Sequence, residues 1–255
     1  MDNHMTALVS CFARAHHFMN HDRWIFRDDM AHRLLSEEEY GRISASMCEG
    51  ISFFNPDFQG DREAALAYVV DHHLSPSVLG RSAFCEWALD NAARLGCSQY
   101  VIFASGYDSF SLRCKRQGLK VYELDRPDMI ADKRERIRKG GLRETCPTAY
   151  LPCDLSEDSW TAGLLEQGFR PDELSFGSLL GISYYLTEED YGALLKRISS
   201  LWSAGSSIVF DYPVRGGGEK CRKNEALAAG AGEAMRAGYS CGEMEKLLEN
   251  SGFLA

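Results

Sequence analysis

The chain has 255 residues, of which 45% are apolar, 25% charged and 11% aromatic, and its 28 Lys and Arg against 37 Asp and Glu leave a net charge of −9. This apolar content builds the core of one large domain without disulfide or metal staples, and the acidic balance repels a phosphate backbone, which argues against nucleic-acid binding. No stretch of about 18 apolar residues is available to cross a membrane; Met1-Asp2-Asn3-His4 opens no basic-then-apolar leader, so a cytoplasmic protein is expected.

Residues 1–95 read as a helical cap. Ser36-Glu37-Glu38-Glu39 has the spacing of a capping box, a hydroxyl three residues ahead of a glutamate. Asn55-Pro56-Asp57 and Phe58-Gln59-Gly60 are turn material. From Pro76 to Leu95, Val78, Leu79, Trp87 and Leu89 recur at helical period between charges, and Gly96 closes the run.

From Ser98 the pattern changes, and residues 96–255 read as one core. Apolar runs Tyr100–Ala104, Lys120–Leu124, Ala149–Leu151, one within Leu174–Ile182, and Ser207–Phe210 predict five strands. Helices are predicted between them, one after Ser105-Gly106, others over Asp128–Lys139, Ser156–Gln167 and from Thr187-Glu188-Glu189-Asp190 onward. Strands alternating with helices, and apolar on both faces, predict an α/β fold with a mostly parallel sheet covered on both sides. Gly216-Gly217-Gly218 and the polar Glu219–Asn224 read as a flexible loop after the fifth strand. The nine cysteines include no Cys-x-x-Cys, and His16-His17 and His72-His73 diverge by about 100° on a helix; reduced thiols and no metal site are expected.

Ligands of open parallel sheets sit beyond the carboxyl ends of the strands, where strand order reverses. Three loops therefore compete: Ala104–Ser109, Leu124–Pro127 and Pro152–Leu155. The first holds Gly106 and lacks the Gly-x-Gly-x-x-Gly cradle of a dinucleotide, which disfavours a nicotinamide oxidoreductase and suits a cofactor without pyrophosphate. Asp125, nineteen residues after Gly106, is placed to accept both hydroxyls of a ribose. Glu123 is a second candidate for that role, on the same side of the strand. Asp154 suits either an exocyclic amine, with Leu155 against a purine face, or the cap of the next helix.

Ser105-Gly106-Tyr107-Asp108-Ser109, Tyr122-Glu123-Leu124-Asp125-Arg126-Pro127, Asp154-Leu155, Gly181-Ile182-Ser183-Tyr184-Tyr185-Leu186 and Phe210-Asp211-Tyr212, taken in order, resemble the motifs of the leucine carboxyl methyltransferase family. Arg14-Ala15, Phe26-Arg27-Asp28-Asp29 and Arg81 in Gly80-Arg81-Ser82 extend the likeness to residues 12–253. The resemblance implies a Rossmann-like class I methyltransferase core that uses S-adenosyl-L-methionine. It implies that Arg81 holds the cofactor carboxylate, that Ser105 and Gly106 line its methionine part, that Asp125 takes the ribose, and that Asp154 and Leu155 take the adenine. Tyr184 and Tyr185 become candidates for shaping the acceptor pocket. The implied activity is O-methyl transfer to a carboxylate of a small molecule or peptide, which needs orientation rather than a general base. Were the acceptor a hydroxyl, His16, His17 or His21 would be the candidate base.

The chain departs from the family pattern at Ala104 for a glycine, Phe110 for an arginine and Leu180 for a glutamate. Leu180 opens a second expectation, a catalytically silent cofactor-binding or partner-binding module. The pattern also continues beyond Gly252-Phe253 into a final strand pair, so a further segment or a partner chain completing the sheet is expected.

Overall fold

A computed structural model describes residues 4–216, 218, 223 and 236–254. Five helices precede the first strand: α1 (Met5–Asn20), α2 (Glu37–Glu49), α3 (Ile51–Phe54), α4 (Arg62–Val69) and α5 (Ser75–Arg94). A π-helical turn, Val70–Leu74, joins the last two. Ser36 and Glu39 form the predicted capping box at the start of α2, and Gly96, at φ +100°, follows the last turn of α5.

The strands are β1 (Gln99–Phe103), β2 (Lys120–Asp125), β3 (Thr148–Pro152), β4 (Ser175–Leu179) and β5 (Ser207–Phe210). All pair in parallel, in the order β3-β2-β1-β4-β5. Between and after them lie α6 (Phe110–Arg113), α7 (Pro127–Lys139), α8 (Ser159–Glu166), α9 (Glu188–Leu201) and α10 (Cys241–Asn250). Alternate side chains of β1 serve opposite faces, as the pleat requires. Val101 and Phe103 join Trp160, Leu164, Leu195 and Trp202 of the helices on one side. Tyr100 and Ile102 join Cys85, Leu89 and Phe110 on the other. A third apolar cluster joins Leu8 and Phe12 of α1 to Tyr107, Leu112, Met129 and Ile137, and so binds the N-terminal helices to the sheet's helical cover.

Three expectations shift in detail. Ala104 leaves the strand for the left-handed region, at φ +50°. The helix after β1 is the single turn α6, ended by Cys114 in extended conformation. The helix after β3 starts at Ser159 rather than Ser156, because Asp154 Oδ1 draws the Ser156 N–H into a turn at 2.9 Å. The loop expected over Gly216–Asn224 falls largely outside the described residues. No described helix is long and apolar enough to cross a membrane.

Candidate functional site

The strand order reverses between β1 and β4: β2 and β3 lie to one side of that pair, β5 to the other. The chains leaving β1 and β4 must diverge there, which opens a crevice at the carboxyl edge. Both exits are made by residues at positive φ. Ala104 and Gly106 stand at +50° and +47° after β1, and Gly181 stands at +71° after β4. The left-handed turns bring bare backbone to the rim of the crevice.

On the β1 side, Gly106 N–H donates to Asp125 Oδ2 at 2.7 Å, and Arg126 N–H donates to Asp125 Oδ1 at 2.8 Å. The carboxylate thus ties the end of β2 to the loop it faces, and two backbone donors still leave lone pairs for a ligand. Burial pushes the Asp125 carboxyl above its ordinary value, against the pull of those N–H groups. Further hydroxyl donors would favour the anion. Ser105 is buried, and its Oγ meets no hydrogen-bond partner.

Glu123 takes no part in this rim. It is fully buried, paired with the equally buried Lys133 of α7, and it accepts from Ser111 Oγ at 2.8 Å. Its side chain locks α6 and α7 to β2, which leaves Asp125 as the carboxylate at the rim from the end of β2. Asp154 is exposed at the end of the neighbouring strand, where Ser156 donates to it from both N and Oγ, at 2.9 and 2.7 Å. Those contacts draw its carboxyl below the ordinary value. Leu155 packs on the apolar cluster that holds Leu124 and Trp160. Asp125 and Asp154 come from adjacent strand ends, joined where Cys153 N–H donates to Asp125 O at 2.8 Å.

Across the crevice, Arg81 reaches from α5 over the backbone of Gly181. A Cβ at that position would stand 2.9 Å from Arg81 Nη2, so only glycine lets the guanidinium lie there. Arg81 Nη1 donates to Asp211 Oδ2 at 2.9 Å, and Nη2 lies 3.4 Å from Ser10 Oγ of α1. Tyr184 OH donates to the same Asp211 oxygen at 2.9 Å, and burial raises the Tyr184 phenol further above its ordinary value. Tyr185 is partly buried with its ring 6.3 Å from that of Tyr184. Asp211 is the residue that the motif reading quoted without giving it a role. The signal was present: it directly follows β5, as Asp125 ends β2 and Asp154 follows β3.

Of the histidines named as alternative bases, His16 and His17 are engaged in packing the N-terminal helices, and His21 is held through one nitrogen only. His17 Nε2 accepts the Ile25 N–H at 3.0 Å, His16 Nδ1 meets Tyr40 OH at 2.8 Å, and His21 pairs with Asp71 at 3.2 Å. Burial lowers the basicity of His16 and His17. Among the described residues, no group of three or more His, Cys, Asp or Glu is placed to hold a metal ion.

Comparison with known proteins decides the family. The model of the leucine carboxyl methyltransferase family matches residues 7–199, well over half of the chain. The chain belongs to that family. It is 36% identical over 265 aligned positions to "Putative S-adenosyl-L-methionine-dependent methyltransferase YktD" of Bacillus subtilis (strain 168), covering 99% of this chain and 87% of that one. It is 30% identical to "Putative S-adenosyl-L-methionine-dependent methyltransferase Franean1_4929" of Parafrankia sp. (strain EAN1pec), over 81% of this chain and 62% of that one. Against such actinobacterial relatives the chain thus spans less than two thirds of their length. Among solved structures, a duf574 family protein from Streptomyces avermitilis superimposes with a TM-score of 0.65 at 12% identity, covering 96% of this chain and 82% of the other. A methyltransferase-like protein from Thermobifida fusca YX gives 0.56 at 14%, over 80% and 78%. At those identities the likeness speaks for the fold, which is the Rossmann-like class I arrangement expected.

Proposed function

We propose that this chain is an S-adenosylmethionine-dependent O-methyltransferase that esterifies a carboxylate of a small molecule or peptide. The observation that carries the reading is the crevice between β1 and β4, where Asp125, an orphaned Ser105 hydroxyl and the Arg81 guanidinium stand around two left-handed turns. These donors and acceptors fit the cofactor. Arg81 would bind its carboxylate, and Ser105 and Gly106 would line its methionine part. Asp125 would accept from the ribose hydroxyls, with Asp154 and Leu155 beside the adenine.

S-adenosylmethionine supplies a sulfonium-bound methyl carbon that is electrophilic without further activation. A carboxylate acceptor has an ordinary pKa near 4 and is an anion at neutral pH, so it needs no general base. The chain's task is then to hold the two reactants in line and to keep water away. Tyr184 and Tyr185, on the segment after β4, would wall the acceptor side. The engagement of His16 and His17 in packing, with their basicity lowered by burial, supports the carboxylate over a hydroxyl acceptor, since a hydroxyl needs a free base.

Calorimetric titration of the chain with S-adenosylhomocysteine tests the cofactor reading, and micromolar binding is expected. Asp125→Ala should weaken that binding by about 1.5–3 kcal/mol, the cost of losing hydrogen bonds to a charged group; unchanged affinity refutes the ribose assignment. For the acceptor, transfer of labelled methyl to a panel of carboxylic acids and of phenols separates the classes. Ester products release labelled methanol in mild alkali, whereas alkali-stable products would establish a hydroxyl acceptor instead.

A further inference from the structure

Among the described residues, Arg81 and Asp211 form an ion pair at the crevice whose geometry spans two strand exits. Asp211 follows β5, yet its side chain turns back across the exit of β4. Oδ1 accepts the Gly181 N–H at 2.6 Å, while Oδ2 accepts from Arg81 Nη1 and Tyr184 OH, both at 2.9 Å. Its backbone is held as well, because Ser183 Oγ donates to Asp211 O at 2.5 Å. Both side chains remain partly open, at 19% and 18% exposure. A half-buried pair of this kind loses hydration at each partner and recovers only part of it by mutual attraction.

The pair also leaves unused capacity. A carboxylate offers about four acceptor positions and a guanidinium five donors. Three acceptor positions of Asp211 are filled, and Arg81 spends one N–H on Asp211 with a long contact to Ser10. Leu180, the residue before Gly181, packs on the apolar cluster around Tyr100 and Phe176 and brings no charge to this rim. The acidic group at the exit of β4 therefore comes from the neighbouring strand.

We infer that Arg81 and Asp211 form a clasp for a free α-amino-acid head, in which Asp211 accepts the α-ammonium while Arg81 receives the α-carboxylate. The inference rests on the proposed cofactor, whose methionine end is such a head, and it adds the residue that reads the ammonium. An α-amino-acid zwitterion carries its opposite charges on two groups attached to one carbon, and the clasp presents the complementary charges in mirror order. Each protein charge then keeps its partner and gains a second one of opposite sign. Gly181 fixes the spacing from below by donating to Asp211 and admitting Arg81 over its bare Cα.

Three nucleosides separate this role from the function it rests on: S-adenosylhomocysteine, its desamino analogue lacking only the ammonium, and 5′-methylthioadenosine lacking the whole head. In calorimetric titrations of the intact chain, S-adenosylhomocysteine should bind about 10- to 100-fold more tightly than the desamino analogue, the factor for a hydrogen bond to a charged group. Asp211→Asn, which keeps the shape and an acceptor for Gly181, should erase that preference. The same variant should leave 5′-methylthioadenosine within about twofold of its wild-type affinity. Equal wild-type affinities for the first two ligands overturn the clasp and leave the methyltransferase reading standing. A parallel loss of 5′-methylthioadenosine binding in Asp211→Asn assigns the residue a structural role only and also overturns it. Failure of the wild-type chain to bind any of the three defeats the methyltransferase reading, and the clasp with it.

Discussion

Gly181 stands at φ +71° beneath the Arg81 guanidinium, and a Cβ there would come within 2.9–3.1 Å of three of its atoms. Gly181→Ala therefore imposes two separable effects. The left-handed backbone costs about 1–2 kcal/mol with any L side chain, and the guanidinium has to swing off the rim. The expected outcome is a chain destabilised by about that amount in urea, with S-adenosylhomocysteine binding lost by a larger factor than 5′-methylthioadenosine binding. Equal losses for the two ligands would show that Arg81 does not read the head. Ala104 shows the same physics from the other side: the backbone keeps the left-handed conformation, at φ +50°, although no glycine is there to favour it. The sequence showed the missing glycine as a departure; its consequence, a strained residue at the crevice, depends on a dihedral angle that only the fold sets. Asp211 was hidden for a related reason. Its partners Arg81, Gly181 and Tyr184 lie 130, 30 and 27 residues away, and no local spacing joins them.

At the scale of elements, strand and helix types were legible because each has its own apolar period, and their ends were legible where capping chemistry is local. The capping box at α2 is such a case. Its long-range use is not: Glu39 also receives both terminal nitrogens of Arg136 on α7, each at 2.7 Å. Those hydrogen bonds, against some burial, hold the Glu39 carboxyl at about 2. A depressed carboxyl stabilises the fold wherever it is ionised in both states. Its contribution is therefore full above the unfolded value near 4.5 and disappears as pH falls from there toward about 2. Glu39→Gln keeps the capping geometry and removes the charge. Thermal melts of wild type and variant should differ by a constant amount above pH 5.5 or so and converge below pH 4.5. A difference that persists undiminished at pH 2.5 would mean that the pairing with Arg136 contributes nothing.

Over the whole molecule, the division at residue 95 is marked in sequence by a change of period and is crossed in structure by one buried ionic knot. Asp28, fully buried, accepts from Arg14 Nε at 2.8 Å and from Ser109 Oγ at 2.6 Å, and lies 3.2 Å from Arg113 Nε. Arg14 goes on to donate to Tyr107 O at 2.6 Å, and Arg113 to Glu86 of α5. Burial opposes the Asp28 charge, but the two arginines and the serine outweigh it and hold the carboxyl below its ordinary value. The knot fixes α1 and the segment after it onto the loop between β1 and α6, the loop that carries Ser105 and Gly106. The helices before residue 96 and the sheet are then expected to unfold as one unit, despite their separate sequence patterns. Trp24 and Trp87 lie before the boundary, and Trp160 and Trp202 lie beyond it. Their fluorescence and the far-ultraviolet signal should trace one coincident urea transition in the wild type. Asp28→Ala leaves two buried guanidiniums without their shared carboxylate, which costs about 3–5 kcal/mol. Because the loss falls on the joint itself, the variant should show the Trp24 and Trp87 fluorescence changing at lower urea than that of Trp160 and Trp202, with cofactor binding weakened before the sheet melts. Coincident transitions in Asp28→Ala, shifted together, would place the coupling between the two parts in the apolar cluster of Phe12, Tyr107 and Ile137 rather than in the ionic knot.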